Sequence, residues 1–150
     1  MTLRVPSGLL AQIGQHGQQA YPEEGAGLML GRFDGEARLV TRLLPLENRF
    51  QPESRGRRYL ITPRDLLHAE DEAERLGLEI VGVFHSHPDH PARASEFDTQ
   101  WALPVYSYLI TQVQAGQAIE STSWRLREDR ARMEEEELEI TDPLPAEEPS

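Results

Sequence analysis

The chain has 150 residues, no cysteine and a formal net charge of −11, which indicates one domain without disulfides, thiolate metal ligands or thiol catalysis. Eight of the 26 acidic residues and no basic ones lie in residues 134–150, which leaves 18 acids against 15 arginines in residues 1–133 and no basic face for nucleic acid. No signal peptide and no apolar run of about 18 residues is present, so we expect a cytoplasmic protein without membrane contact.

The first third of the chain predicts a helix followed by a hairpin. Apolar residues recur on one helical face over residues 6–20, which indicates a first helix. Two strands over 27–33 and 37–46 flank an Asp34-Gly35 pair, a strong hairpin signal.

The middle of the chain predicts a loop and a second helix. Residues 47–58 are polar and contain proline and glycine, which is typical of a loop, and 59–61 are expected to form a brief strand. A capping threonine followed by proline, Thr62-Pro63, begins a helix that ends at Gly77.

The second half predicts strands separated by a short helix. The expected strands are 78–86, 105–113, 117–127 and 133–140, and the helix is 95–101. The strand over 117–127 alternates apolar and polar residues, as a half-exposed edge strand does.

These elements predict an α/β protein with a single mixed β-sheet flanked by helices, forming one domain over residues 1–140. The acidic, proline-rich residues 141–150 are expected to be disordered.

The segment from His85 to Asp98 is the most informative part of the chain. It contains His85 and His87 separated by one residue, then Ser95 and Asp98. A catalytic zinc typically takes three nitrogen or oxygen ligands from the protein and keeps the fourth position for water, whose pKa falls to roughly 7. We therefore predict a zinc hydrolase site with His85, His87 and Asp98 as ligands.

The predicted strand before this loop explains how the two histidines could share one ion. Alternate side chains of a strand lie on one face, so Val81, Val83, His85 and His87 are expected to point the same way. The serine and the aspartate of the motif are three residues apart and would be neighbours on a helix.

Other interpretations of the same residues compete with the metal site. Residues 95–98 also form an ordinary capping-box sequence, which occurs wherever helices begin. Asp89 and His90 are rival ligands, but they belong to a proline-bounded loop that leads away from the strand.

A water-activating site also requires a group that moves protons. The candidates are Glu23 and Glu24, which precede the first strand of the hairpin. Acids that flank a strand are usually only solvated, and position alone does not separate these two.

Taken together, these residues resemble the JAMM, or MPN-plus, family of zinc isopeptidases, whose signature is a glutamate upstream of His-x-His-x7-Ser-x2-Asp. Small prokaryotic members are especially similar, because a Pro-x-Glu-x-x-Gly-Leu-x-x-Gly segment precedes their catalytic strand. The matching residues here are Pro22, Glu24, Gly27, Leu28 and Gly31, with further matches at Asn48, Arg49, Tyr59 and residues 77–82. The similarity covers roughly residues 5–127.

The resemblance implies a cytidine-deaminase-like MPN/JAMM fold and one zinc per chain, held by His85, His87 and Asp98. It implies that Glu24 is the general base and that the Ser95 hydroxyl donates a hydrogen bond to the developing oxyanion. The implied substrates are amide or isopeptide bonds at the C terminus of a ubiquitin-like or sulfur-carrier protein with a Gly-Gly tail. Release of an amino acid from the carrier and removal of the carrier from protein lysines both stay open.

The chain departs from the family pattern at Ala94, where proline is usual, and at Ala26, where small members often carry cysteine. A different class of function is a catalytically silent scaffold like the MPN-minus proteins, against which the intact glutamate and ligand set argue. The arginine-rich loop Arg55, Arg57, Arg58 is either an ordinary solvated loop or a surface that steers an acidic partner.

Overall fold

A computed structural model describes residues 1–142, which form seven strands and three α-helices. In chain order these are β1 (Thr2–Pro6), α1 (Ser7–Ala20), β2 (Ala26–Asp34), β3 (Ala37–Leu46), α2 (Pro63–Leu76), β4 (Glu79–Pro88), α3 (Glu96–Trp101), β5 (Ser107–Gln114), β6 (Gln117–Leu126) and β7 (Met133–Thr141). Within this part of the chain, no helix combines the length and the hydropathy needed to cross a membrane. The disordered tail is predicted over residues 141–150, and residues 143–150 of it lie outside the described part of the chain.

The strands form one mixed sheet in the order β1-β3-β2-β4-β5-β6-β7, and β1 also pairs in parallel with β7, so the sheet closes into a barrel. The expected single mixed sheet with flanking helices is confirmed, whereas its closure was not predicted. The edge-strand prediction for β6 is wrong, because closure gives β6 partners on both sides, β5 and β7. The finer cytidine-deaminase-like description stays a prediction.

The predicted strand over residues 59–61 is absent. These residues have no strand partner in the described chain, and the Leu60 N–H donates to the Asn48 side chain at 3.3 Å instead of to a neighbouring strand. A side-chain hydrogen bond therefore takes the place of a ladder bond at this point.

Helix α2 has the ends that its sequence predicts. The Thr62 hydroxyl accepts from the Asp65 N–H, the Asp65 carboxylate accepts from the Thr62 N–H, and Gly77 closes the helix with a φ of 69°. The helix buries Ala69 and Ala73 against the sheet.

Two apolar clusters lie on opposite faces of β4, and a bulge in the strand changes which residues join each cluster. The register with β2 skips Val81, so Ile80 and Val83 join the cluster beneath α2, whereas Val81 joins the cluster beneath α1. The expectation that Val81 shares a face with Val83 is therefore wrong, since simple alternation fails across a bulge.

The glycines of the motif before β4 allow close strand approach. A Cβ at Gly31 would overlap the Leu39 carbonyl oxygen, and one at Gly27 would overlap the Phe84 ring. These positions tolerate no side chain because neighbouring backbone or aromatic atoms already occupy the space.

A buried ion pair joins the strands at which the barrel closes. Arg125 on β6 lies 2.7 Å from Glu136 on β7, and it also donates to the carbonyl oxygens of Thr2 and Glu36. Burial, and next the Arg125 charge, lower the pKa of the neighbouring Arg38 to about 10. The negative charge of Glu136 therefore stabilises the positive charges of two buried guanidinium groups, those of Arg125 and Arg38.

We expect Glu136→Ala to destabilise the protein strongly. Removal of one partner of a buried pair leaves an uncompensated charge and typically costs about 3–5 kcal/mol. Urea unfolding followed by circular dichroism measures the loss. The matched control is Glu135→Ala, on the exposed side of β7, which should stay within about 0.5 kcal/mol of the wild type. Equal stability of the two variants would contradict this role for Glu136.

Candidate active site

The end of β4 and the start of α3 bring His85, His87 and Asp98 together. The Nε2 atom of His85 is 3.6 Å from Asp98 Oδ1, and the Nε2 atom of His87 is 3.1 Å from Asp98 Oδ2. All three residues are at most 3% exposed. The residues that the spacing singled out therefore form one buried cluster.

The capping box of α3 sets the orientation of the Asp98 carboxylate. The Ser95 N–H donates to Asp98 Oδ2 at 2.8 Å, and the Asp98 N–H donates to Ser95 Oγ at 3.1 Å. The ordinary capping interpretation of this segment is correct, yet it does not compete with the site. The same carboxylate caps the helix and faces both histidines.

Hydrogen bonding orients the His87 ring. Its Nδ1 atom is 2.8 Å from the Pro91 carbonyl oxygen, which can only accept, so Nδ1 carries a proton. Its Nε2 atom faces a carboxylate oxygen at 3.1 Å. This contact is favourable when a proton or a cation lies between the two atoms.

The surroundings of His85 give a second sign of a cation site. Its Nε2 atom is buried and has no hydrogen-bond partner among residues 1–142. Its Nδ1 atom lies 3.2 Å from Glu24 Oε1, which suits an Nδ1–H donor and leaves Nε2 as the lone pair. Two imidazole nitrogens and a carboxylate are ligands that zinc prefers, so the residues fit the implied metal.

Electrostatics keep the cluster charged despite its burial. Burial raises the pKa of Asp98, but the charges of His85 and His87 and the Ser95 N–H outweigh it and hold that pKa well below its ordinary value. Burial lowers the pKa of His85, but Asp98 and Glu24 outweigh it, so the net shift is upward. The cluster therefore attracts positive charge, as a proton or as a metal.

Glu24, and not Glu23, lies beside the histidines. Glu24 is 1% exposed with its carboxylate against His85, whereas Glu23 is half-buried. Ligand atoms of Glu24, His85 and His87 lie within 4.8 Å of one another, so Glu24 also has the position of a possible fourth ligand. A carboxylate that accepts from the far nitrogen of a metal-bound histidine is a common arrangement, and it is the one that the His85 contact favours.

The rival ligands are engaged elsewhere. Asp89 accepts from the Tyr21 hydroxyl at 2.5 Å and from the Ala115 N–H at 2.8 Å. His90 stacks on His87 with ring centroids 4.2 Å apart, and its Nδ1 atom is 2.8 Å from the Pro88 carbonyl oxygen. Both residues shape the loop after β4 and neither belongs to the cluster.

Aromatic residues frame the site, and spacing arguments had assigned them no role. The Tyr59 ring stacks on His85 with centroids 4.4 Å apart, and it lines an apolar pocket of about 300 Å³. The larger side chains of that pocket are Phe50, Phe97, Trp101, Tyr106 and Tyr108. Of these residues only Tyr59 matches the family pattern, and the others come from separate segments of the chain, so motif spacing does not predict this wall.

A second hollow opens on the other side of the site. It has a volume of about 610 Å³ and includes Arg57, Arg58, His90 and Ser95 in its lining. Both arginines are exposed, and the Arg58 guanidinium lies 5.2 Å from the centre of the Phe97 ring. The arginine loop therefore shares a hollow with His90 and Ser95, which contact His87 and Asp98.

Comparison with known proteins agrees with this geometry. Residues 6–127 match a family model described as prokaryotic homologs of the JAB domain. The chain belongs to this JAB family. A curated relative from Thermus thermophilus, named a probable TtuB-protein conjugate cleaving protease, is 39% identical over 107 residues, which cover 69% of this chain and 68% of the relative.

Solved structures support the JAB/MPN fold. A protein from Desulfitobacterium hafniense is 32% identical with a TM-score of 0.82, and the match covers 96% of this chain and 95% of that one. A protein from Salinibacter ruber is 40% identical with a TM-score of 0.72, covering 95% and 93%. A JAB1/MPN domain protein from Archaeoglobus fulgidus is 21% identical with a TM-score of 0.57, covering 95% and 97%, and shows the fold alone. The resemblance to the JAB/MPN family is confirmed.

We expect the JAB domain to bind one zinc, and Asp98→Ala to lose it. The variant removes the carboxylate that both Nε2 atoms face, so its zinc Kd should rise by more than the 10–100-fold that loss of an outer-shell partner typically costs. Chelator competition measures the affinity. His68→Ala, an exposed position on α2 outside the cluster, is the control and should bind zinc like the wild type. Zinc retention by Asp98→Ala, with weak binding in Glu24→Gln, would replace Asp98 by Glu24 in the ligand set.

Proposed function

We propose that this protein is a zinc-dependent hydrolase that cleaves amide or isopeptide bonds at the C terminus of a ubiquitin-like or sulfur-carrier protein. The observation that carries the proposal is the buried group of His85, His87 and Asp98, in which the Nε2 atoms of both imidazoles lie within 3.6 Å of one carboxylate. The name of the Thermus relative supports a ubiquitin-like conjugate as substrate.

His85, His87 and Asp98 are the residues that would hold the metal. A bound zinc supplies Lewis-acid chemistry, which polarises a carbonyl and lowers the pKa of water. The ring contacts with Tyr59 and His90 and the Pro91 carbonyl fix the two imidazoles, so the ligands are positioned before the ion arrives.

Glu24 is the proposed proton carrier. One carboxylate oxygen accepts from His85, which leaves the other free for water. As the water oxygen attacks the carbonyl carbon, the Glu24 carboxylate takes its proton. The protonated carboxyl then gives that proton to the leaving nitrogen as the C–N bond breaks, so the residue returns to its starting state.

Ser95 is the proposed donor to the developing oxyanion. Its oxygen accepts the Asp98 N–H, so its own O–H proton is not consumed by the cap. A hydroxyl held in this way can donate where negative charge develops, and such a donor is favourable because it needs no reorganisation.

The surfaces beside the site suit an extended tail with an acidic body behind it. We expect a Gly-Gly tail to lie beside Tyr59 and Phe97, because glycine has no side chain that could collide with these rings. The exposed Arg57 and Arg58 add positive charge beside the site of an otherwise acidic molecule.

We place the catalytic domain within residues 1–140, and the lack of cysteine suits a cytoplasmic location.

We expect Glu24→Gln to keep zinc and to lose turnover by at least about 10²–10⁴-fold, the usual contribution of a general acid–base group. The substrates are fusions of the sulfur-carrier proteins from the same genome, and the mass of the released fragment distinguishes an amino acid from a protein. Glu23→Gln is the neighbouring control and should retain full activity. Wild-type protein that is loaded with zinc but inert toward every carrier would instead favour the scaffold function.

We expect Ser95→Ala to lower kcat by about 10²–10³, as the loss of one oxyanion donor typically does. The variant also loses a helix cap, which costs about 1 kcal/mol. Thr62→Ala loses the same type of cap at α2, away from the histidines, and corrects for this effect. If both variants lost activity equally, Ser95 would act only through the stability of its helix.

A further inference from the structure

Asn48 uses its whole hydrogen-bonding capacity at the edge of the site. Its Nδ2 atom donates to the carbonyl oxygens of Glu24, at 2.9 Å, and Arg58, at 3.0 Å. Its Oδ1 atom accepts from the N–H groups of Phe50, at 3.0 Å, and Leu60, at 3.3 Å. The residue is 8% exposed, so water does not replace these partners at low cost.

Three of these four bonds close the loop over residues 49–60 at its neck. Phe50 lies at the start of that loop and Arg58 and Leu60 at its end, so one side chain ties both ends together. The same loop carries Tyr59, which stacks on His85. Asn48 therefore holds the wall of the site in place.

The same side chain also holds the backbone of Glu24. The Glu24 carbonyl accepts from Asn48, and the Glu24 N–H donates to the Arg55 carbonyl of the loop at 2.6 Å. On the other side, the Gly25 N–H donates to the buried Ser86 hydroxyl at 2.8 Å. Glu24 lies between α1 and β2, outside any helix or strand, so these contacts replace the support of a regular element.

We propose that Asn48 is a positioning residue that fixes the Glu24 carboxylate relative to His85 and links it to the loop over residues 49–60. This inference rests on the proposed function, in which Glu24 carries the proton. Asn48 touches neither histidine ligand through its side-chain hydrogen bonds, so it acts through Glu24 and the loop. Its removal should reduce catalysis while metal binding persists.

The test compares Asn48→Asp and Asn48→Leu with wild type. The aspartate keeps two acceptor oxygens but points a lone pair at the Glu24 and Arg58 carbonyls, whereas leucine has a similar size and no hydrogen bonds. Both variants should lose about 10²-fold in kcat, the effect of moving a reacting group by about 1 Å. Zinc Kd should rise by less than the roughly 10–100-fold that loss of an outer-shell partner typically costs, because the three ligands and Glu24 all remain. Loss of activity in Asn48→Asp alone would indicate an effect of charge and would overturn the inference.

A double-mutant cycle with Glu24→Gln separates positioning from general stability. Because Asn48 acts through Glu24 and the loop, Asn48→Leu should cost clearly less in the Glu24→Gln background than in the wild type. Losses that multiply in full would overturn the inference. Ser123→Ala is the stability control, because it removes a buried hydrogen bond to Glu136 far from the site and should lower Tm without lowering kcat.

Amide hydrogen exchange tests the inference without activity. In Asn48→Leu, exchange should accelerate at Glu24 and at residues 49–60, while β4 and β5 keep wild-type protection. Unchanged exchange at Glu24 would overturn the inference even if kcat fell. If no variant and no wild-type sample cleaved any carrier, the proposed function would fail, and the exchange result would still decide the role of Asn48.

Discussion

The site depends on two imidazoles and two carboxylates that face one another in a buried space. His87 donates from Nδ1 to the Pro91 carbonyl, so its Nε2 atom faces Asp98, while His85 turns one nitrogen to each of two carboxylates. Such an arrangement is unfavourable without a positive charge at its centre, because desolvated carboxylates repel one another. The protein maintains it through hydrogen bonds that come from outside the cluster. A bound cation would supply that charge, which supports the proposed metal site.

The frame that maintains this cluster is made of non-local contacts. Strand β4 lies between β2 and β5, so the two histidines project from a strand with partners on both sides. Asp98 comes from a helix after the next loop, and Glu24 comes from the entry to β2. The barrel therefore positions the histidines. Side-chain hydrogen bonds position the two acids: those of Asn48 and Ser86 hold the Glu24 segment, and the capping box of α3 holds Asp98.

Local patterns predicted much of the fold and the identity of the clustered residues. The hairpin, both long helices and the spacing from His85 to Asp98 have local causes, namely turn chemistry, caps and periodicity. Barrel closure through β1, the bulge at Val81 and the non-strand course of residues 59–61 depend on partners distant in the chain. Position could not separate Glu23 from Glu24 for the same reason, since only the packing of β2 against β4 buries one of them.

Asp98 both caps α3 and faces the two imidazoles, and this combination has a thermodynamic consequence. Helix α3 has only six residues, too few to be stable alone, and its first turn is closed by the carboxylate that also faces both imidazoles. Ordering of that turn and capture of the proposed ion would then be linked equilibria, and each would favour the other by the same free energy. Helix-forming tendency at the solvent-facing Gln100 would thereby help to determine the affinity for an ion that Gln100 does not contact.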